Sequence, residues 1–132
     1  MAGRLAVDFG TSNTVLALWD PTRQEGLPLR LSEYSRSYQQ DGSPVYVIPS
    51  LIHYAEDDRR WIGSQVIQRG LYQSQRTFRW MKRYISSRSP IRVRLNGREI
   101  SPYQAGEDFL STLLLFAGEE TGANQEEVAF SV

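Results

Sequence analysis

The stretch that most constrains this 132-residue chain begins at Ser101-Pro102. A serine hydroxyl accepts a hydrogen bond from an amide of a helix's first turn, and proline suits the first helical position because its missing N–H has no partner to lose there. Gln104 stands where the partner in a capping box belongs. Apolar residues follow at Phe109, Leu110, Leu113, Leu114, Leu115, Phe116 and Ala117, and Gly122 is a natural terminator. The pattern predicts a helix from Ser101 or Pro102 to about Thr121, apolar over most of its circumference and therefore buried.

Strand patterns precede it. Residues 4–9 alternate β-formers through Asp8, Gly10-Thr11-Ser12-Asn13 interrupts them, and residues 14–19 resume the run. This reads as strand, tight polar turn and strand. Residues 27–31 predict a third strand that completes an antiparallel meander. Residues 32–44 are polar and predict an exposed loop. Short strands are expected at 45–48 and 51–54, split by Pro49-Ser50, and helices over 62–72 and 78–85. Asn96-Gly97 suits a two-residue hairpin turn, so residues 92–95 should pair with 98–100. Residues 127–132 begin one more strand, and a sequence that stops inside it is expected to be a piece of a larger domain.

Composition narrows the function classes. The chain is 40% hydrophobic and 23% charged, a soluble globular make-up, and no apolar run approaches the roughly 20 residues that span a bilayer. A cytoplasmic protein with no membrane partner is the expectation. With no cysteine, disulfides, thiolate metal sites and cysteine nucleophiles are excluded. The net charge of zero hides an uneven distribution: residues 69–98 hold nine Lys and Arg and no acid, whereas residues 101–132 hold six acids and no base. Such a basic stretch suits the phosphates of a nucleotide or of nucleic acid, and equally a solvated surface. The aromatic residues do not interleave with the bases at a regular step, so nucleic acid is not the expected partner. His53, the one histidine, lies in a predicted strand and is expected to have a packed or surface role rather than a functional one.

One motif carries chemistry. Asp8-Phe9-Gly10-Thr11-Ser12-Asn13-Thr14 places a carboxylate at a strand end, then a glycine, then two hydroxyls. A turn of that kind points backbone N–H groups outward and can cradle phosphate oxygens. Glycine allows close approach, the Thr11 and Ser12 hydroxyls can donate, and Asp8 can hold a hydrated magnesium ion. On spacing alone an ordinary hairpin is the commoner reading. Neither a Walker-type loop nor a glycine-triplet dinucleotide fingerprint is present.

Residues 5–19 resemble the first phosphate-binding motif of the actin, sugar-kinase and chaperone superfamily, most closely in the form found in DnaK-type heat-shock chaperones. Pro49-Ser50-Leu51-Ile52 with Trp61-Ile62-Gly63, the run Phe78-Arg79-Trp80-Met81-Lys82-Arg83-Tyr84-Ile85, and Ser101-Pro102 with its helix and final strand are similar to further elements of that family, in the same order. The resemblance implies an α/β chain with an actin-like ATPase (ribonuclease H-like) fold, incomplete. An antiparallel β-meander, helix and following strand (residues 1–32 and 101–132) would form the core subdomain, and residues 33–100 an inserted smaller α/β subdomain.

It also implies ATP and magnesium as cofactors, with Asp8 organising the ion through water, and Gly10, Thr11, Ser12 and Asn13 lining the β- and γ-phosphates. Lys82 would be the catalytic lysine, reaching the γ-phosphate and the attacking water. ATP or ADP would be the ligand, and unfolded peptide and co-chaperones the partners of the whole protein. Residues 33–44 and 86–90 depart from the family's pattern, and its second phosphate loop and adenosine-binding segment have no counterpart here. The chain alone is therefore expected to be inactive. A small-molecule, sugar-type kinase of the same superfamily and a non-catalytic anion or nucleic-acid-binding module remain as alternatives.

Overall fold

The computed structural model describes residues 4–85, 93–122 and 124–131. Strands β1 (Arg4–Phe9) and β2 (Asn13–Asp20) form the central hairpin, followed by β3 (Glu25–Pro28), β4 (Arg36–Gln40), β5 (Ser43–Pro49), β6 (Ile52–Tyr54) and β7 (Arg60–Ile62). Helix α1 (Ser64–Gln68), β8 (Thr77–Phe78), α2 (Met81–Ile85), β9 (Val93–Leu95), β10 (Arg98–Ile100), α3 (Pro102–Thr121) and β11 (Asn124–Ser131) complete the chain.

The main sheet runs β11-β1-β2-β5-β4, with β3 also on β2. β2 serves two partners along one edge: its first residues, Asn13 and Thr14, pair with Pro49 and Ile48 of β5, and its last four pair with β3. Among the described residues of this sheet, only β11 runs parallel to its neighbour, β1; the other pairings are antiparallel. The architecture is thus mixed α/β around a mostly antiparallel sheet.

Period-two alternation sorts β1 into two faces. Leu5, Val7 and Phe9 are buried, with Leu16 beside them on β2, while Ala6 and Asp8 point the other way. Helix α3 covers the buried face with Ala105, Phe109, Leu113 and Ala117, spaced so that one stripe of the helix turns inward. The Phe109 ring lies 6.0 Å from that of Phe9. Opposite the stripe, Tyr103 and Leu115 are exposed, which corrects the expectation of a helix buried most of the way round. The buried cluster continues from this layer into Ile48, Ile52, Ile62, Phe78 and Met81 without a break.

The local signals at the helix ends and the hairpin have their expected outcomes. The Ser101 side chain accepts from the Gln104 amide, Pro102 opens the helix and Gly122 closes it at φ 70°. The Gln104 side chain donates onward to Asp108 rather than back to the cap. Asn96 and Gly97 both take positive φ, as a two-residue turn between right-twisted strands demands, and β9 pairs with β10. Arg92, also expected in that pairing, lies outside the described residues, as do residues 86–90.

Three expectations need correction. Residues 32–44 are not simply a loop: β4 pairs with β5 across Asp41-Gly42, and all five β4 residues are exposed, so no apolar alternation advertised the strand. The helix expected over 62–72 spans only Ser64–Gln68, because Ile62 is drawn into β7 opposite Ile52. In the run 78–85, Thr77 and Phe78 are buried as a strand against His53 and Ile52, and the helix starts at Met81.

Of the packed and surface roles open to His53, the structure shows the packed one. The Thr77 hydroxyl donates to the Leu71 carbonyl, so it accepts from His53 Nδ1–H at 2.8 Å, which places a proton on Nδ1. Burial, and then the charge of Arg76, hold its pKa below the usual histidine value. The unfolded chain therefore binds the extra proton first as pH falls, and folding stability should drop from about pH 6.5 downward until the folded-state histidine also titrates. His53→Asn should flatten that part of a stability–pH profile measured by urea unfolding; an unchanged slope would remove His53 as its source.

Candidate phosphate site

Residues 10–13 close the β1–β2 hairpin beyond its last pair, Phe9 with Thr14. The Gly10 amide donates to the Asn13 carbonyl at 3.0 Å, folding the turn back on itself. A Cβ at position 10 would stand 2.2 Å from that carbonyl oxygen, so the turn exists in this form only with glycine there.

Ser50 holds the turn from outside. Its amide donates to the Ser12 carbonyl at 3.0 Å and its hydroxyl to the Gly10 carbonyl at 2.9 Å. With that proton committed, the Thr14 hydroxyl is the donor in the 2.8 Å contact with Ser50 Oγ. Thr14 and Ser50 are both buried, and leaving one of these groups without its partner would cost about 1–3 kcal/mol. The Gly10 and Ser12 carbonyls thus face Ser50. Neither the Thr11 nor the Ser12 amide donates to any described residue.

Thr11, Ser12 and Asn13 border a cavity of about 180 Å³, together with Ser50, Leu51, Ile67, Tyr72 and Trp80. Two cations line it from separate elements, Arg36 on β4 and Arg79 in the turn between β8 and α2. None of its described lining residues is acidic. Arg79 is held in place: Nη1 donates to the Tyr72 carbonyl, and the guanidinium lies 5.2 Å from the Tyr72 ring and 5.5 Å from that of Trp80. Trp80 itself sits at φ 54°, a left-handed conformation unusual for a bulky residue and of the kind that gathers at ligand sites.

The structure brings Thr11, Ser12 and Asn13 together beside Gly10 on one cavity, whose lining includes neither Asp8 nor Lys82. Asp8 follows the strand alternation onto the face opposite Phe9, where it is exposed and borders a shallow apolar depression with Ala6, Val15, Ala17 and Ala129. Lys82, half-buried on α2, is not among the residues bordering the cavity. Arg36 and Arg79 were not singled out from sequence. Asp41-Gly42 was the available sign that Arg36 belongs to a hairpin; nothing local distinguishes Arg79 from the bases around it.

Several of those bases serve the fold. Arg69 stacks 3.6 Å above the Trp61 ring, and Arg76 donates to the Tyr54 carbonyl and to Asn96 Oδ1, both at 2.6 Å. Arg98 lies 3.8 Å from Asp58. Arg88 and Arg92 lie outside the described residues. A second polar cluster ties β6 to α3: Asp108 accepts from the Tyr54 hydroxyl at 2.7 Å and from Gln104 at 3.0 Å, with Arg60 at 3.7 Å. Burial, and then the hydrogen bond to Asp108, push the Tyr54 phenol well above the usual tyrosine range, so it remains a donor. Among the described residues no three His, Cys, Asp or Glu gather as a metal site. A scan against protein-family models finds no match to this chain, and a search of curated proteins finds none significantly similar to it.

Proposed function

We propose that this chain supplies one wall of a nucleotide-phosphate site in an ATPase resembling the DnaK-type chaperones, within an actin-like fold. The observation that carries the reading is the Gly10–Asn13 turn. Its Gly10 and Ser12 carbonyls are tied back to Ser50, its Thr11 and Ser12 amides are left without partners in the described chain, and it opens on a cavity lined by two arginines. Amides without a partner in the described chain, two hydroxyls and positive charge are the groups that can hold phosphate oxygens.

The cavity lining fits phosphate and not a metal, since no described carboxylate borders it. A magnesium role for Asp8 therefore rests on the family resemblance alone, and no chemical step is assigned to the ion. The role of Lys82 at the γ-phosphate has the same basis. In this reading hydrolysis belongs to the whole protein, where it would govern the hold on unfolded peptide.

A single wall should bind weakly. Titration with Mg-ATP, followed by amide NMR, is expected to shift Thr11, Ser12 and Asn13 with a Kd of about a millimolar. Adenosine alone should leave these amides in place. Unmoved turn amides at about ten times that concentration would overturn the reading.

A further inference from the structure

We infer that Arg36 and Arg79 form a two-arginine clamp for a condensed phosphate, so that the cavity recognises the polyphosphate chain itself. The inference rests on the nucleotide-phosphate reading and identifies the positive charge that the turn does not supply. Thr11, Ser12 and Asn13 are neutral, and their amides and hydroxyls offer dipoles only. A di- or triphosphate carries several negative charges, and Lys82 does not border the cavity. The two arginines do.

Three observations favour a ligand over a structural role for them. First, the ion pairs among the described residues engage Arg23, Arg59, Arg60 and Arg98, and no carboxylate pairs with Arg36 or Arg79. Their charge is therefore not neutralised by a described acid and is available to an anion in the cavity. Second, Arg79 is already ordered by the Tyr72 carbonyl and by the Tyr72 and Trp80 rings, while a guanidinium has five N–H donors and this contact engages one nitrogen. Ordering in advance removes part of the entropic cost of binding, and the planar fork matches phosphate oxygens in pairs. Third, the cavity's volume of about 180 Å³ is below the roughly 300–1,000 Å³ of pockets that enclose a whole small-molecule ligand. It suits phosphate groups more than a nucleoside.

Trp80 lines the same cavity and is exposed to solvent, so its fluorescence should report occupancy. Inorganic tripolyphosphate titrated into the chain should quench or shift that emission, move the Thr11 and Ser12 amides, and bind within a few-fold of ATP. Arg36→Gln and Arg79→Gln should each weaken it about tenfold, the loss of a charge-assisted contact. Arg59→Gln, which removes a base paired with Asp57 and away from the cavity lining, should not. Circular dichroism checks that each variant folds; Arg36 lies on a fully exposed strand, so R36Q carries the test if R79Q does not fold. Tripolyphosphate bound equally by wild type and R36Q would overturn the clamp. So would ATP shifting the turn amides with no loss in R36Q, and in that case the nucleotide reading would stand. Neither ligand moving the turn would overturn both.

Discussion

Phe109→Ala is expected to destabilise the fold by about 3–5 kcal/mol, the cost of a large cavity in a core that cannot close over it. Phe109 is fully buried at the middle of the inward stripe of α3, against the ring of Phe9. The β1 strand beneath it is fixed on both sides, by β2 and by β11, so the sheet has little room to move up into the space. Domains of ordinary stability hold only about 5–15 kcal/mol in total, so the loss should be plain as a lower urea midpoint at unchanged slope. The matched control is Leu115→Ala on the same helix. Leu115 is 55% exposed, and its truncation should change stability by no more than about 0.5 kcal/mol. Equal losses at the two positions would mean that α3 is buried all round and that the one-sided packing is wrong.

Gly10→Ala should abolish phosphate binding while leaving most of the fold intact. The added methyl would stand 2.2 Å from the Asn13 carbonyl oxygen, so the contact between Gly10 N–H and Asn13 cannot survive in its present form. Either residue 10 swings away or Asn13 does. Both movements disturb the Gly10 and Ser12 carbonyls that Ser50 holds, and with them the direction of the Thr11 and Ser12 amides. Several weak contacts must converge to bind one phosphate, so their joint loss should exceed that of either arginine variant, with no tripolyphosphate binding at concentrations that saturate the wild type. Far-UV circular dichroism should remain close to wild type, because the strand pairs from Phe9–Thr14 outward do not involve residue 10. Undiminished binding in Gly10→Ala would show that the turn is a plain hairpin and that the cavity's anion affinity, if any, comes from the arginines alone.

How much of this was legible in the sequence depended on the range over which each signal acts. The β1–β2 hairpin, the β9–β10 turn and both ends of α3 were readable because their causes lie within a few residues: alternation of side chains, positive φ at Asn96-Gly97, and a serine hydroxyl over the Gln104 amide. The depth of α3 was overestimated because its apolar residues outnumber those the sheet covers, and Leu115 and Tyr103 were left outside. Strand β4 was missed for the opposite reason, since an edge strand with every residue exposed has no buried side to mark it.

The same division runs through the site. The amino-acid sequence by itself determined the turn: a glycine between two strands, followed by hydroxyl and amide side chains, is a local pattern with a local outcome. Tertiary structure decided what stands around it. Ser50 reaches the turn only because β5 pairs with the start of β2, and Arg36 enters the cavity only because β4 folds back on β5. Arg79 arrives through a left-handed turn at Trp80 that interrupts a run otherwise patterned as helix. Asp8, beside the turn in sequence, is carried to the opposite face of the sheet once Phe9 is committed to the core. Each of these placements follows from strand pairing and burial between distant segments, which are cooperative properties of the folded chain and leave no mark on the residues next to the one they place.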